Sequence, residues 1–269
     1  MEDVTIIVKT LDRYECLRKL LKSIFKKYPN VNVLIGDDSE KSSKDIVLKE
    51  FNGYKIKYFN LQKDIGLSAG RNFLLKNVET KYFFLLDDDM IIDKKTNLEY
   101  ALQKIEEENL DILGGYCRNY KIINNKFDKI LVFFEKLLKY ELPTNYIGTL
   151  NLDQDTFYAK YITHEFPEYK VSDIVLNVFV GKTKSVLDMG GWDENLKLQE
   201  HTEFFYRAKL NNLKVAFTNK LSIQHHPVRL KKYKQKRERN YTNVFMDKYN
   251  IKKIVSEYDD KRGTVIIER

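Results

Sequence analysis

The sequence predicts an α/β protein in which a mostly parallel sheet is flanked by helices. Strand and helix signals alternate over the first 115 residues. The strands are apolar on both faces, which is typical of parallel strands covered by helices on both sides. Polar clusters follow several strands, at Thr10 to Arg13, at Asp37 and Asp38, and at Asp87 to Asp89. Because ligands of such sheets bind beyond the carboxyl ends of the strands, these clusters predict a binding site.

Each element of this first half follows from a short pattern. The predicted strands are 4–8 (VTIIV), 31–36 (VNVLIG), 55–59 (KIKYF), 82–86 (YFFLL) and 111–116 (DILGGY). A helix after the first strand is predicted by helical spacing of apolar residues, namely Leu17, Leu20, Leu21, Ile24 and Phe25. Further helices are predicted at about 42–51, 68–78 and 96–108.

After about residue 115 the regular alternation ends, and an irregular region is expected on the same sheet. Residues 120–135 are typical of a hairpin, and 140–173 are aromatic and irregular. Strands at 173–181, 214–218 and 221–226, a GGWDENL turn and a helix at 202–210 complete the prediction. We therefore expect one domain over 1–228, with halves 1–115 and 116–228, and a basic C-terminal extension over 229–269.

Composition excludes several classes of protein. The chain has 269 residues, of which 43% are hydrophobic, so it can bury a substantial core and is not disordered. The apolar runs fall short of the roughly 18 residues that span a bilayer. The N-terminal segment is unlike a signal peptide, and Cys16 and Cys117 are too few for a disulfide framework. A cytoplasmic location is the expectation.

The net charge of +8 is unevenly distributed. Residues 229–239, RLKKYKQKRER, contain seven Lys or Arg and one Glu. Such a run is compatible with a solvated helical face, with an anionic membrane surface or with a nucleic-acid backbone. Because no helix-turn-helix, zinc-finger or RNP pattern accompanies it, we do not expect nucleic acid as a partner.

Three consecutive aspartates, Asp87 to Asp89, end the apolar strand YFFLL. Carboxylates this close together are costly unless a cation neutralises them, and oxygen ligands favour Mg²⁺ or Mn²⁺. Mg²⁺ is commonly shared between carboxylates and a substrate phosphate, so a nucleotide diphosphate is the natural partner. The glycine turn GLSAGRN (66–72) adds Arg71 and a helix N-terminus, a combination that suits an anion.

The ordered set of motifs resembles the glycosyltransferases of family 2 with the GT-A fold. The residues that carry the resemblance are VTIIVKTLDRYECLRKLLKSI, VLIGDDS, GLSAGRN, YFFLLDDDM and GGWDENLKLQEHTEFFYR. The likeness is particularly marked to β-1,4-N-acetylgalactosaminyltransferases of the ganglioside-synthase kind, and it covers roughly residues 4–228. It implies an inverting, metal-dependent enzyme that moves a sugar from a UDP-sugar to a glycan or glycolipid hydroxyl. GalNAc is favoured, with GlcNAc, Gal or Glc as alternatives.

The resemblance also implies roles for individual residues. The uridine, ribose and diphosphate would be contacted by Thr10, Arg13, Asp38, Arg71, Asp87 and Asp88. A Mn²⁺ or Mg²⁺ ion would be bound by Asp89, Asp87 and His225, with His226 as the alternative histidine. The substrate-binding residues would be Asp173, Asn177, Trp192 and Glu203.

The catalytic base is left open between two neighbours. Many inverting members of this fold carry Glu-Asp at the start of the late helix, whereas this chain has Glu200 and His201. Histidine also occurs there in the ganglioside-synthase-like branch. The resemblance therefore implies His201 as the first candidate and Glu200 as the second, with Glu203 as a supporting acid or a helix cap. An imidazole with an ordinary pKa of about 6.5 suits this task near neutral pH.

Two other functions are compatible with parts of the sequence. A nucleotidyltransferase also uses carboxylates and Mg²⁺, but it does not require the QEHTEFFYR helix. A basic nucleic-acid-binding module would use the positive charge, but it would leave the aspartates unexplained. Both are weaker alternatives to the transferase.

Overall fold

The computed structural model describes residues 1–120, 145–196, 200–227 and 241–269, and within them it confirms the α/β fold. In the first half, strands and helices alternate as the sequence predicts. The strands are β1 (Val4–Thr10), β2 (Asn32–Asp37), β3 (Ile56–Asn60), β4 (Tyr82–Asp87), β5 (Met90–Ile91) and β6 (Ile112–Asn119). The helices are α1 (Tyr14–Lys27), α2 (Lys44–Glu50), α3 (Leu67–Lys76) and α4 (Leu98–Glu107).

The second half adds strands to the same sheet and builds another. Its strands are β7 (Ile147–Asp153), β8 (Thr156–Ile162), β9 (Tyr169–Val171), β10 (Phe179–Lys182), β11 (Val215–His225), β12 (Lys253–Tyr258) and β13 (Thr264–Glu268). Its helices are α5 (Thr183–Asp188), α6 (Glu200–Leu210) and α7 (Thr242–Lys248).

The main sheet has nine strands within the described residues, in the order β3-β2-β1-β4-β10-β6-β11-β5, with β9 also paired to β11. Strands β3, β2, β1 and β4 pair in parallel. Strand β10 is antiparallel to both β4 and β6, so β6 and its parallel partner β11 run in the same direction as β4. As a result, the carboxyl ends of β1, β2, β4, β6 and β11 lie at one edge of the sheet.

Alternate residues of the central strands belong to two different hydrophobic cores. Ile6 and Phe84 belong to a core that includes the apolar face of α1 and α4. Ile7 and Phe83 belong to a second core that includes α3, α5, α6 and α7. The buried residues of α1 are the five apolar positions that the sequence predicts. Side chains that alternate across a strand therefore hold helices on both faces of the sheet.

The expectation of an irregular segment over 140–173 is corrected by the structure. From residue 145 onward this segment contains β7, β8 and β9, and β7 and β8 form an antiparallel hairpin. Buried and exposed residues alternate along β8, which is the period of two expected for a half-buried strand. The second sheet has the order β13-β12-β8-β7, so residues from the C-terminal segment pair with this hairpin.

Two other strand boundaries differ from the prediction. The predicted strand 173–181 is replaced by a shorter one, Phe179–Lys182, because the backbone of Asp173 and Ile174 bonds to Gly148. Segments 214–218 and 221–226 are one strand, β11, whose register shifts between Phe217 and Ser222. Nearly all of the predicted hairpin at 120–135 and the whole basic run at 229–239 lie outside the described residues. Within the described part of the chain, every helix is too short or too polar to cross a membrane.

Candidate active site

Five strands deliver polar side chains to one edge of the main sheet. Thr10 ends β1, Asp37 ends β2 and Asp87 ends β4. On the far side of β10, Asn119 ends β6 and His225 ends β11. Strand pattern predicted that the first three would meet and the family resemblance implied His225 as well, so Asn119 is the residue that the structure adds.

The second aspartate, Asp88, is fully buried at 0% exposure. It accepts hydrogen bonds from Thr10 Oγ1 at 2.6 Å and from Arg13 Nε at 3.1 Å, and Arg13 Nη2 bonds its other oxygen. Burial raises the pKa of Asp88 to about 7, although the Arg13 charge opposes this rise. Asp88 is therefore anchored by the end of β1 and by the residue that precedes α1.

The two oxygens of the third aspartate, Asp89, have different surroundings. Oδ2 accepts a hydrogen bond from Arg13 Nη1 at 2.8 Å. Oδ1 is buried without a hydrogen-bond partner and lies 3.4 Å from His225 Nε2. Burial favours the neutral carboxyl, but His225 and Arg13 outweigh it and lower the pKa of Asp89. Burial likewise opposes protonation of His225, but Asp89 outweighs it and raises the pKa of that imidazole.

Of the two adjacent histidines, His225 is the one whose ring faces Asp89. Its Nδ1 lies 2.6 Å from Asn119 Oδ1, which holds the ring in this orientation. The ring of His226 stacks on Tyr120 with 4.6 Å between centroids, and its Nε2 lies 3.0 Å from Gln224 Oε1. Geometry thus favours His225 over His226 as a metal ligand.

Arg71 connects the first aspartate to the late helix. Its Nη2 bonds Asp87 Oδ1 at 3.1 Å, and its Nη1 bonds Glu200 Oε1 at 2.7 Å. The Arg71 side chain is almost completely buried and lies over the Trp192 ring, 5.7 Å from the centroid. Because Arg71 and Glu200 are 129 positions apart in the chain, this ion pair joins α3 to α6 at the site.

The two arginines relieve part of the repulsion between the aspartates. The sequence had led us to expect a bound ion in this role. Asp87, Asp88, Asp89 and Glu200 carry four formal negative charges, and Arg13 and Arg71 supply two positive ones. Since the remaining formal charge is −2, a divalent cation would balance it. The protein thus holds the aspartates together partly with its own cations.

The residues present fit a hard divalent ion with two protein donors. Ligand atoms at adjacent octahedral positions around Mg²⁺ lie about 3 Å apart, given bonds of about 2.1 Å. The 3.4 Å between Asp89 Oδ1 and His225 Nε2 is close to that value, and Oδ1 has no other partner. Within the described residues, no three His, Cys, Asp or Glu side chains are already grouped around one point. Water and a diphosphate would have to supply the other ligands, as is common for Mg²⁺.

A buried ion pair that the sequence analysis missed lies beside this cluster. Lys9 Nζ bonds Asp38 Oδ1, while Asp38 Oδ2 is buried without a hydrogen-bond partner. Burial lowers the pKa of Lys9 despite the nearby carboxylates, and burial raises the pKa of Asp38 despite Lys9. The sequence could have revealed this ion pair through Lys9, which is the one charged residue in the buried strand VTIIVKT.

His201, the first candidate base, lies in an aromatic environment at the start of α6. Its Nδ1 is 2.7 Å from Asn177 Oδ1, and because an amide oxygen only accepts, Nδ1 carries the proton. Its Nε2 is buried without a hydrogen-bond partner, and its ring contacts Tyr146 and Phe205 edge to face. Burial, followed by the Arg71 charge, lowers the pKa of His201 to about 3. The expectation of an ordinary pKa near 6.5 is therefore wrong.

Two residues that the resemblance assigned to substrate binding have partners within the protein. Asp173 accepts hydrogen bonds from the Leu150 backbone N–H and from Lys209 Nζ, each at 2.8 Å, and so links β7 to α6. Trp192 is 1% exposed and stacks on Phe204 in the core, 4.7 Å between ring centroids. The Trp192 ring also lies under Arg71, and its Nε1 is buried without a hydrogen-bond partner.

Glu203, predicted as a substrate contact or supporting acid, is buried in a different cluster. It accepts hydrogen bonds from Arg207 Nε at 2.9 Å, Lys248 Nζ at 2.7 Å and the Tyr249 hydroxyl at 3.0 Å. These contacts fasten the C-terminal segment to α6. These partners account for the burial of its carboxylate.

The GGWDENL turn is fastened to α3 by a residue that the sequence analysis did not single out. Asn72 Oδ1 accepts from the Trp192 backbone N–H at 2.7 Å, and Asn72 Nδ2 donates to the Trp192 carbonyl at 2.7 Å. Gly191 has φ of +64°, and a Cβ there would lie 2.3 Å from Asn72 Oδ1. Asn72 is the next residue after Arg71, so this turn helps to position the arginine.

Comparisons with known proteins agree with the geometry. Residues 5–162 match the family model Glycosyl transferase family 2. The chain is 31% identical over 222 residues to Beta-1,4 N-acetylgalactosaminyltransferase 1 of Homo sapiens, covering 82% of this chain and 38% of that protein. It is 30% identical over 202 residues to Beta-1,4 N-acetylgalactosaminyltransferase 2 of Mus musculus, covering 75% of this chain and 35% of that protein. The chain thus spans less than half the length of these relatives.

A solved structure shares the fold. The crystal structure of S. aureus TarS 1-349 in complex with UDP-GlcNAc superposes with a TM-score of 0.60 and 20% sequence identity. The match covers 86% of this chain and 60% of that one. At this level of identity the likeness concerns the fold alone.

Proposed function

The chain belongs to glycosyltransferase family 2 and has the GT-A fold, and from this premise we propose that it transfers a sugar from a UDP-sugar to a hydroxyl of a glycan or glycolipid. GalNAc is the favoured sugar because the similar human and mouse proteins are named for its transfer. The observation that carries the proposal is the cluster of three aspartates at the carboxyl edge of the sheet, where Asp89 Oδ1 has no hydrogen-bond partner and faces His225. The family match favours this function over a nucleotidyltransferase or a nucleic-acid-binding module.

We assign the uridine to the carboxyl ends of β1 and β2. The unpartnered Asp38 Oδ2 is a buried acceptor that a pyrimidine N–H can satisfy. Thr10 lies between this position and the aspartates, and Arg71 and Asp87 lie where the nucleotide would continue toward α6. Lys9 Nζ bonds the other oxygen of Asp38, Oδ1, which leaves Oδ2 for the ligand.

Asp89 and His225 would hold Mn²⁺ or Mg²⁺ in this proposal, with Asp87 close by. When bound, the ion would act as a Lewis acid that stabilises the negative charge of the departing UDP. Asn119 and Arg13 hold the two ligand side chains in place, since each contacts the atom that does not face the ion.

His201 remains the first candidate for the base, because Glu200 is already paired with Arg71. The Asn177 contact leaves the lone pair of His201 on Nε2, which has no other partner. A low pKa makes this imidazole a weak base in the absence of substrate. The acceptor hydroxyl becomes strongly acidic as its oxygen bonds to the anomeric carbon, so a weak base can receive the proton late in the step. Attack opposite to UDP would invert an α-linked donor to a β-glycoside.

A donor screen tests this function. UDP release should be measured with UDP-GalNAc, UDP-GlcNAc, UDP-Gal and UDP-Glc, with and without Mn²⁺, and with alkyl glycosides as acceptors. Asp89→Asn should lower Mn²⁺-dependent release by at least about 100-fold, because the variant weakens stabilisation of the leaving group. Asp188→Asn, at an exposed aspartate in a surface ion pair, is the matched control and should be unaffected. The absence of turnover with every donor would contradict the proposal.

We also propose that residues 229–239 contact an anionic membrane surface near the acceptor. The support is their composition, seven basic residues and one acidic residue. Sedimentation with vesicles that contain phosphatidylserine should decrease as salt increases. Equal sedimentation with neutral vesicles would count against it.

A further inference from the structure

Arg13 lies between the second and third aspartates, Asp88 and Asp89, whereas the resemblance assigned it a contact with the nucleotide. Its Nε and Nη2 form a two-pronged contact with Asp88, and its Nη1 bonds Asp89 Oδ2. The three side chains are mostly buried, so solvent screens these charges little. Arg13 is therefore placed to fix the orientation and offset the charge of Asp88 and Asp89, in addition to lying beside the proposed nucleotide site.

We propose that Arg13 is a resident counter-cation that positions Asp88 and Asp89 and keeps the affinity for a divalent ion low until the donor arrives. The proposal deepens the proposed function and rests on its metal site. Arg13 acts through the aspartates, so it is a positioning residue.

The first step of the argument concerns the geometry of Asp89. Since Arg13 occupies Oδ2, only Oδ1 is left to face His225. A carboxylate held in this way offers an ion one oxygen instead of two. Without donor, the described residues thus supply two donor atoms, which is few for an ion that takes six ligands.

The second step concerns charge. With every carboxylate counted as ionised, the four carboxylates and two arginines sum to a formal charge of −2, and removal of Arg13 takes away the positive charge beside Asp89. A more negative, poorly screened site attracts a divalent cation more strongly. Arg13 therefore lowers the affinity for the ion alone, and the donor diphosphate adds the ligands and the negative charge that complete the site.

The experiment measures binding of Mn²⁺ to the protein by the loss of the free-ion EPR signal, without UDP and with UDP, after subtraction of the signal that UDP removes in a protein-free sample. In the absence of UDP, Arg13→Gln should bind Mn²⁺ at least tenfold more tightly than wild type. Arg13→Lys keeps the charge and should stay within threefold of wild type. UDP should tighten Mn²⁺ binding strongly in wild type and less in Arg13→Gln.

A second variant protects against loss of folding, because Arg13→Gln leaves the Asp88 charge buried and unpaired. The double variant Arg13→Gln with Asp88→Asn removes both charges, and it frees Asp89 Oδ2 at an unchanged formal charge of −2. Its affinity for Mn²⁺ without UDP should be at least threefold tighter than that of wild type.

The outcomes separate this inference from the proposed function. If wild type binds Mn²⁺ in the presence of UDP, but neither folded variant binds Mn²⁺ more tightly than wild type without UDP, the role of Arg13 is overturned and the metal site stands. If wild type does not bind Mn²⁺ even with UDP, the metal site of the proposed function fails, and this inference fails with it.

Discussion

The neutral imidazole of His201 should make the stability of the fold depend on pH. Burial, followed by the Arg71 charge, lowers the pKa of His201 from its ordinary 6.5 to about 3. A group that loses its proton on folding stabilises the fold fully above its unfolded pKa, and this contribution is lost as the pH falls from 6.5 toward 3. The full difference corresponds to about 5 kcal/mol, and about 2 kcal/mol of it is lost between pH 7.5 and pH 5.0.

The assay is urea unfolding of wild type and His201→Gln at several pH values between 5.0 and 7.5, with EDTA present. Glutamine is neutral throughout and can still donate to Asn177. The free energy of unfolding of wild type, relative to the variant, should fall by about 2 kcal/mol over this range. His164→Gln removes an imidazole whose side chain is 54% exposed, and it serves as the control for loss of one histidine.

Parallel pH profiles would refute the reasoning. If wild type and His201→Gln keep a constant difference within about 0.5 kcal/mol, then His201 is not held neutral by burial. The argument that Nε2 carries an available lone pair throughout the neutral range would then fail. A decrease of similar size in the His164→Gln comparison would show that the effect is not specific to this site.

Three further predictions concern the parts that support the site. Glu203→Gln should destabilise the fold by about 2–3 kcal/mol in urea unfolding, because it removes the buried charge that pairs with both Arg207 and Lys248, and an effect below about 0.5 kcal/mol would contradict this role. Gly191→Ala should cost about 2–3 kcal/mol, because it combines positive φ with a Cβ clash against Asn72, whereas Gly263→Ala, which also has positive φ but open space, should cost less. Removal of divalent ions with EDTA should abolish UDP release and added Mn²⁺ should restore it, and EDTA-resistant turnover would argue for a metal-independent enzyme.

The outline of the fold and one side of the site could be predicted from local patterns. The apolar face of α1 was predicted residue by residue because helical periodicity is a short-range signal. Thr10, Asp37 and Asp87 were placed together because parallel strands end at one edge. The hairpin of β7 and β8 was missed although its alternation is present in the sequence, since its aromatic residues on both faces obscured the pattern.

The partners of the site residues were not predictable in the same way. Arg13 and Asp88 are 75 positions apart, and Arg71 and Glu200 are 129 positions apart. The resemblance assigned Asp173 and Glu203 to the substrate. In the structure, Asp173 accepts a hydrogen bond from Lys209 and Glu203 accepts one from Lys248, and both lysines are distant in the sequence. A carboxylate in a motif shows what chemistry is available, whereas its neighbours in space decide which carboxylate is free to perform it.

The fold class, the family resemblance and the edge of the sheet where polar groups collect all follow from the sequence, because strand periodicity and chain direction are local properties. The three-dimensional packing was needed to learn that two arginines hold the aspartates, that His225 faces Asp89 in place of His226, and that His201 is buried and neutral. These facts depend on burial and on charges brought together from distant parts of the chain. Desolvation and Coulomb energy act through space, so they are set only once the elements have packed.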